Sequence, residues 1–509
     1  MKDGLLSNIK AIRTPGRGVN RLAVLIVAFI FIVIAFSNSF AGLFTGQMSV
    51  INTPQAVFEQ GMGYLLSGNN EMAYESFSKA IEMDDTLVDA YTQRARLMHN
   101  QGQHDEALAD YNRAVELESE DADLYLDRAK TFIVLKRIPD GIADLGHAVR
   151  FNSELVEAYL IRGRLYKGIG MLDKAVYDLS KVLDHQPKNT EVLKDRADIH
   201  FIQENWQLAI ADYKALLDQD PQNEAIHYSM GFAYYNIEEY QKAVDSYNEA
   251  VKLGFNEANL FFNRGNAYLE LGEYQQAVSD FDKVIDLTVD FVEAYNNRGN
   301  AYLSLANHDK AIEDFTQAIA IEPDYVLGYY NRVLAYMDME DYPKAIEDCT
   351  FIIEHQPCMI DAYQQRGIAW FGVEEYQKAI EDWQRYLQNV PDDAQANYGI
   401  GLAYFNLEQY KQAIDFFDKA TDLDDKHGAA CYQRGSAYIL LEKYDDAVKD
   451  FTRAIDLETN MDISYYNRGV AYYYLGKKEL AKSDFEKVID ITDNDKLIED
   501  AKKTIGDIS

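Results

Sequence analysis

Residues 260–290 read LFFNRGNAYLELGEYQQAVSDFDKVIDLTVD. Apolar side chains recur there at helical spacing, break at Leu271-Gly272-Glu273, and then resume helical spacing. This is a helix-turn-helix unit. Gly265 and Ala277 are small enough to let the two helices approach closely, and Tyr268 and Phe281 fill the space beside them. Along the rest of the chain the alanine returns every 34 residues from Ala73 to Ala481 without insertion or deletion, replaced once by Gly141. Twelve residues before each stands another small residue in twelve of thirteen units, with Val333 the exception. A fixed period of this length is the signature of stacked repeats, in which each unit buries its apolar face on its neighbours. Thirteen such units, dividing as 54–87, 88–121 and onward to 462–495, leave no room in 509 residues for a separate catalytic domain.

The aromatic slots repeat as well. The first-helix slot holds Tyr64, Tyr166, Tyr234, Tyr302, Trp370 and Tyr472 among others, and the second-helix slot holds Phe77, Tyr111, Tyr247, Phe315, Trp383 and Phe485. Proline at 187, 221, 323, 357 and 391 stops a second helix. With small-x2-aromatic and Ala-x3-aromatic coinciding at a 34-residue period, the chain resembles the tetratricopeptide-repeat family over residues 54–495. The resemblance implies an all-α right-handed superhelix whose concave groove is lined by first helices. Residues 496–509 then read as an amphipathic capping helix, with Leu497, Ile498, Ala501 and Ile505 facing inward.

Ten units carry Arg just before the small residue, and the same ten carry Asp three residues after the Ala or Gly, as in Arg298 and Asp314. The other three lose both: Gln60 with Ser76, Met230 with Ser246, Ile400 with Phe416. Joint presence and joint loss predict an Arg–Asp ion pair bridging the two helices of each of the ten, since losing one partner alone strands a partly buried charge. The alternative is two independent habits of one repeat pattern. The exceptions are units one, six and eleven. Together with the recurrence of Asp184-His185-Gln186-Pro187 as Glu354-His355-Gln356-Pro357, they point to duplication of a five-unit block.

The N-terminus is a different material. Residues 1–21 carry five cations against Asp3, and no charge appears between Arg21 and Glu59. Leu22–Phe36 is an unbroken apolar run, and 22–44 is long enough to cross a bilayer, which takes about 20 residues. The basic tail predicts a cytoplasmic N-terminus and extracytoplasmic repeats. The competing expectation is a cleaved signal peptide with Ser39-Phe40-Ala41 as its cleavage site. The expected organisation is therefore a tail at 1–21, a single-pass signal anchor in the cell (inner) membrane at 22–44, a linker at 45–53, repeats at 54–495 and the cap.

The net charge is −35, and with +4 on residues 1–21 the remainder holds −39. Such a surface repels phosphate backbones, so nucleic acid is not an expected partner, and it favours basic ones. The three cysteines, Cys349, Cys358 and Cys431, form no framework. No Cys/His metal spacing, P-loop or nucleophile elbow occurs, and neither a metal nor a cofactor is expected.

The family resemblance places in the groove the residues two before and one after the small residue. Here these include Asn263, Asn266, Asn297, Asn300, Asn331 and Asn467. A primary amide offers donor and acceptor together and can clasp an extended backbone whatever its sequence. The alternative is that asparagine is merely common there. Toward the C-terminus the groove turns aromatic, with Tyr398, Phe405, Tyr432, Tyr466 and Tyr473. These features lead to the expectation of a non-enzymatic membrane-anchored scaffold that binds protein or peptide partners outside the cytoplasm. The alternatives are a secreted or periplasmic chaperone or assembly factor, and an accessory subunit of a membrane enzyme complex.

Overall fold

The computed structural model describes residues 53–508. The basic tail, the expected anchor at 22–44 and nearly all of the linker lie outside the described residues. Among the described residues no helix is long and apolar enough to cross a membrane.

Every described element is a helix or a turn, and the chain falls into two compact units that meet between Gly170 and Met171. The first unit holds α1 (Pro54–Leu66), α2 (Asn70–Met83), α3 (Val88–Asn100), α4 (His104–Leu117), α5 (Ala122–Val134), α6 (Ile138–Phe151) and α7 (Val156–Gly168). The second begins with α8 (Leu172–His185), α9 (Thr190–Ile202), α10 (Trp206–Leu217), α11 (Glu224–Asn236), α12 (Tyr240–Lys252), α13 (Ala258–Glu270), α14 (Tyr274–Leu287), α15 (Val292–Ser304), α16 (His308–Ile321), α17 (Val326–Asp338) and α18 (Tyr342–His355). It continues through α19 (Ile360–Gly372), α20 (Tyr376–Leu387), α21 (Ala394–Asn406), α22 (Tyr410–Leu423), α23 (Gly428–Leu440), α24 (Tyr444–Asp456), α25 (Met461–Tyr474), α26 (Lys478–Ile491) and α27 (Asp495–Ile508). Odd-numbered helices up to α25 are the first helices of repeats one to thirteen, even-numbered ones the second. Within each unit a helix packs on its sequence neighbours.

The small residue and the second-helix aromatic are two halves of one contact. A Cβ placed on Gly265 would stand 2.8 Å from the Phe281 ring, and one on Gly299 only 2.5 Å from Phe315. Phe281, Phe315, Phe417, Phe451 and Phe485 are fully buried, as are Ala277 and its counterparts. The turn between the two helices reverses through a left-handed residue at the same register in all thirteen repeats. At Gly272 φ is +74°, and six other turns place Glu there, as at Glu374 with φ +63°. The amide after it donates back to the first helix, Glu273 N to Tyr268 O at 2.9 Å, which closes the helix end. The last apolar face, with Phe485 and Val488, is covered by α27 through Leu497, Ala501 and Ile505.

The Arg–Asp pairs are present. In nine repeats Nε and Nη2 of the arginine donate to the two oxygens of one carboxylate, as from Arg298 to Asp314 at 2.8 and 2.6 Å. Arg162 and Asp178, the remaining pair, belong to different units. The structure adds a third contact. Nη1 of each of the nine arginines donates to a side-chain oxygen sixteen residues earlier, on the second helix of the preceding repeat: Ser78, Asn112, Ser180, Asn248, Asp282, Thr316, Thr350, Asp418 or Thr452. One guanidinium thus ties three helices. Burial pushes Asp314 above the ordinary carboxylate value even though Arg298 opposes it. Burial works against the charge on Arg298 too, but Asp314 and Asp282 outweigh it and raise that group.

Candidate functional site

The first-helix face of the second unit carries the candidate residues, and its geometry follows from a seam between successive repeats. At three junctions the side chain three before the small residue bonds the one two before it in the next repeat, 35 residues on. Asn263 donates to the Tyr228 hydroxyl at 3.1 Å, Asn331 to Asn296 at 2.8 Å, and Asn467 to the Tyr432 hydroxyl at 3.3 Å. A second rule joins the residue one after the small position to the next repeat, 31 residues on: Asn297 donates to Asn266 at 2.8 Å. With Asn296 donating to Asn297 at 3.1 Å, the amides Asn266, Asn297, Asn296 and Asn331 form one chain across α13, α15 and α17.

Five of the six amides expected to face a partner are thus also engaged within the array. Asn331 is 8% exposed and lies in the seam, because its amide is already committed to Asn296. Asn263, Asn266, Asn297 and Asn467 are half-buried and each commits one polar atom to a neighbouring repeat. Asn300, half-buried on α15, makes no side-chain hydrogen bond within the described residues. The ladder joins successive repeats as well as lining the face. Repeats two and three build the same 31-residue rule from charge: Arg96 donates to Asp127 at 2.5 Å.

The aromatic candidates divide likewise. Tyr398, Tyr432 and Tyr466 lean on the second-helix aromatics of their own repeats, with ring centroids 5.9, 5.8 and 5.4 Å from Phe417, Phe451 and Phe485. Burial raises all three phenols above their ordinary value. Phe405 meets Tyr410 edge-on at 5.4 Å, and Tyr473 is exposed beside Tyr474.

The structure adds residues that sequence reasoning missed. Between α19 and α21 a cavity of about 220 Å³ is lined by Ile368, Phe371, Trp383, Tyr398 and Leu402, with Gln364 and Gln395 as polar groups. Ile368 and Leu402 occupy the register that Asn266 and Asn300 hold in repeats seven and eight, and Ile368 is 40% exposed. The available signal was that change from amide to aliphatic at one register. The face can therefore offer amides over repeats seven and eight and an apolar slot at repeats ten and eleven.

Among the described residues no group of His, Cys, Asp and Glu is arranged to hold a metal ion. Cys349 and Cys431 are buried and Cys358 is exposed, and none is in a disulfide. Burial pushes the Cys349 thiol up to about 12, the opposite of what a nucleophile needs.

Protein-family models described as tetratricopeptide repeat match residues 76–109, 225–253, 292–325 and 463–495, and a TPR-repeat model matches 95–133, 197–238, 265–305 and 435–476. A model of subunit 3 of the anaphase-promoting complex, or cyclosome, matches 373–454. No curated protein matches. Among solved structures, that of MamA protein is similar at 27% identity over 34% of this chain and 94% of that one, with a TM-score of 0.32. YrrB, described as a TPR protein with an unusual peptide-binding site, is similar at 22% identity over 36% of this chain and 96% of that one, TM-score 0.33. A chain of the APC/C hetero-tetramer Cut9-Hcn1 is similar at 14% identity over 82% of this chain and 96% of that one, TM-score 0.35.

Proposed function

We propose that this chain, built of tetratricopeptide repeats, is a scaffold whose first-helix face in repeats seven to thirteen binds an extended segment of another protein. The observation that carries the reading is the apolar slot between Ile368 and Leu402, set in line with the amides of Asn263, Asn266 and Asn300. Amides hold a backbone regardless of sequence, and an apolar slot takes one anchoring side chain. The acidic surface favours a partner that is neutral or basic overall.

The anchor belongs to the same proposal. The apolar 22–44 stretch behind a basic tail supports a single-pass protein with its repeats outside the cytoplasm. A cysteine introduced as Ser509→Cys then reacts with a membrane-impermeant thiol reagent in intact cells, in a chain whose Cys358 is replaced by serine. Labelling near Lys10 with protection at the C-terminus reverses that topology, and a mature N-terminus at Gly42 replaces the anchor by a cleaved signal.

The binding face is tested with the partner recovered after gentle detergent extraction. Ile368→Asp with Leu402→Asp puts two charges into the apolar slot and is expected to weaken that partner at least tenfold, the equivalent of about 1.4 kcal/mol. Glu381→Ala with Asp415→Ala alters as many charges at exposed positions on second helices and is expected to leave affinity unchanged. Unchanged affinity with intact helicity in the Ile368/Leu402 variant rules out this face.

A further inference from the structure

We infer that the junction between repeats ten and eleven is a hinge, a joint that pivots on apolar contact while both repeats stay folded. In nine of the ten repeats with an arginine before the small residue, that guanidinium bonds a side chain of the preceding repeat; at Arg162 the position sixteen earlier is Gly146, which has no side chain to accept. Repeat eleven has Ile400 instead, and the position that should accept the bond is Gln384, which makes no side-chain hydrogen bond within the described residues. The 35-residue side-chain bond, made at three junctions, is absent here, as it is where apolar Phe262 holds the register. Gly399 stands two before the small residue, so Gln364 finds no side chain 35 residues on.

Repeat eleven itself is not weakened. Ile400 is fully buried and Phe416, which replaces the aspartate, stacks on Tyr404 at 5.5 Å. Exchanging a buried ion pair for packed apolar groups costs little or nothing within a repeat. What is lost is the guanidinium tie between the helix bodies; the one directional bond left is at the connection itself, where the Tyr386 hydroxyl donates to Asp393, the N-cap of α21, at 3.0 Å. The joint rests instead on Trp383, which packs with Ile380, Ile400 and Ala403 and lies flat enough against α21 that a Cβ on Gly399 would be 3.0 Å from it. Apolar contact has no preferred direction, so it permits tilting that a bidentate bond resists.

Space for that tilt exists on both sides. The 220 Å³ slot lies on the first-helix side, and a cavity of about 500 Å³ lined by Leu387, Pro391, Asn397, Phe416 and Leu423 lies on the other. α20 has 12 residues where most second helices have 14, which leaves the joint a longer connection. Repeats five and six are an internal comparison. They share the missing pair, Met230 with Ser246, a 12-residue α10 and a cavity of about 470 Å³. There, however, Lys214, at the register of Gln384, lies 5.7 Å over the Tyr234 ring of repeat six, a cross-repeat contact between helix bodies that Gln384 does not make. Tilting at ten and eleven changes the separation of Ile368 from Leu402, and so adjusts the slot without unfolding a repeat.

The test uses pairs of spin labels two repeats apart at one exposed register, in the full-length chain with Cys358 replaced by serine. Glu347→Cys with Asp415→Cys brackets the joint, and Ser279→Cys with Glu347→Cys spans clamped repeats. The distance distribution by double electron–electron resonance is expected to be roughly twofold broader for the bracketing pair, as for a hinge between rigid bodies. Restoring the clamp with Gln384→Thr, Ile400→Arg and Phe416→Asp is expected to narrow it to the width of the other pair. Equal widths in the unrestored chain overturn the hinge, whether or not the restored chain folds. A folded restored chain that stays broad overturns the assigned cause.

Discussion

Removing Arg298 leaves the Asp314 carboxylate, whose side chain is only 4% exposed, without its two charge-assisted bonds. A buried charge stripped of its partner costs about 3–5 kcal/mol, so Arg298→Met is expected to fall in that range. Asp314→Leu is milder. Arg298 is 18% exposed and keeps Asp282, itself 51% exposed, at 2.6 Å. Loss of a charged hydrogen-bonding partner then costs about 1.5–3 kcal/mol. The double variant buries two apolar side chains where the ion pair stood and loses mainly the reach to Asp282, at about 0.5–1.5 kcal/mol. The sum of the singles therefore exceeds the double by roughly 3 kcal/mol or more, at the upper end of what touching residues show. The assay is native-state hydrogen exchange of peptides from repeat eight, because a repeat array opens in pieces and one global midpoint averages over them. The pH dependence adds a check. Burial already holds Asp314 above its ordinary value, and loss of Arg298 raises it further. A raised folded-state value means proton uptake favours the fold, so the deficit of Arg298→Met shrinks as pH falls from about 7 towards about 4. Additive single effects, or a deficit that grows on acidification, refute the three-helix tie.

Gly299→Ala forces a methyl to within 2.5 Å of Phe315 and is expected to cost about 1–3 kcal/mol by overpacking, read as lost exchange protection in repeat eight; Gly63→Ala, a helical glycine whose Cβ meets nothing, is the control and is expected to gain up to about 1 kcal/mol in its own repeat. Native protein treated with a maleimide is expected to label at Cys358 and not at the buried Cys349 or Cys431, and modification of Cys349 without unfolding contradicts the packing. Tyr213 and Tyr386 are pushed up to about 12 by burial, against about 10 in the unfolded chain. Stability from these groups is complete below about pH 10 and lost as pH rises towards about 12, so the urea midpoint drops over that window, and a constant midpoint refutes their burial.

The repeat was legible because its contact is steric. Under the rings of Phe281 and Phe315 only Gly fits without a shift, so identity at one register encodes a distance. The Arg–Asp tie was legible because both partners keep one identity and vanish together. Its third arm was not, because the acceptor changes among Ser, Thr, Asn and Asp and shares only an oxygen. The asparagine face was legible as a row of amides, but not as amides bonded to one another. Which of them pair depends on how each repeat is rotated on the last, as Asn296 to Asn331 shows, and no single repeat encodes that angle. Glu374 marks a similar limit. It holds a left-handed turn that Gly272 announces at the same register and glutamate does not.

Whether one face of the repeat array carries the partner is read most directly by photo-crosslinking. The reactive residue is placed at Ile368, exposed on α19, or at Glu381, exposed on α20, in the full-length chain within its native cells. Crosslinked material is then mapped to residue level by mass spectrometry. Ile368 is expected to capture one contiguous segment of one protein, to lose that capture in the Leu402→Asp background, and to be unmatched by Glu381, which captures none of it. The same segment captured from Glu381, or capture at Ile368 that is indifferent to Leu402→Asp, contradicts a binding face on the first helices.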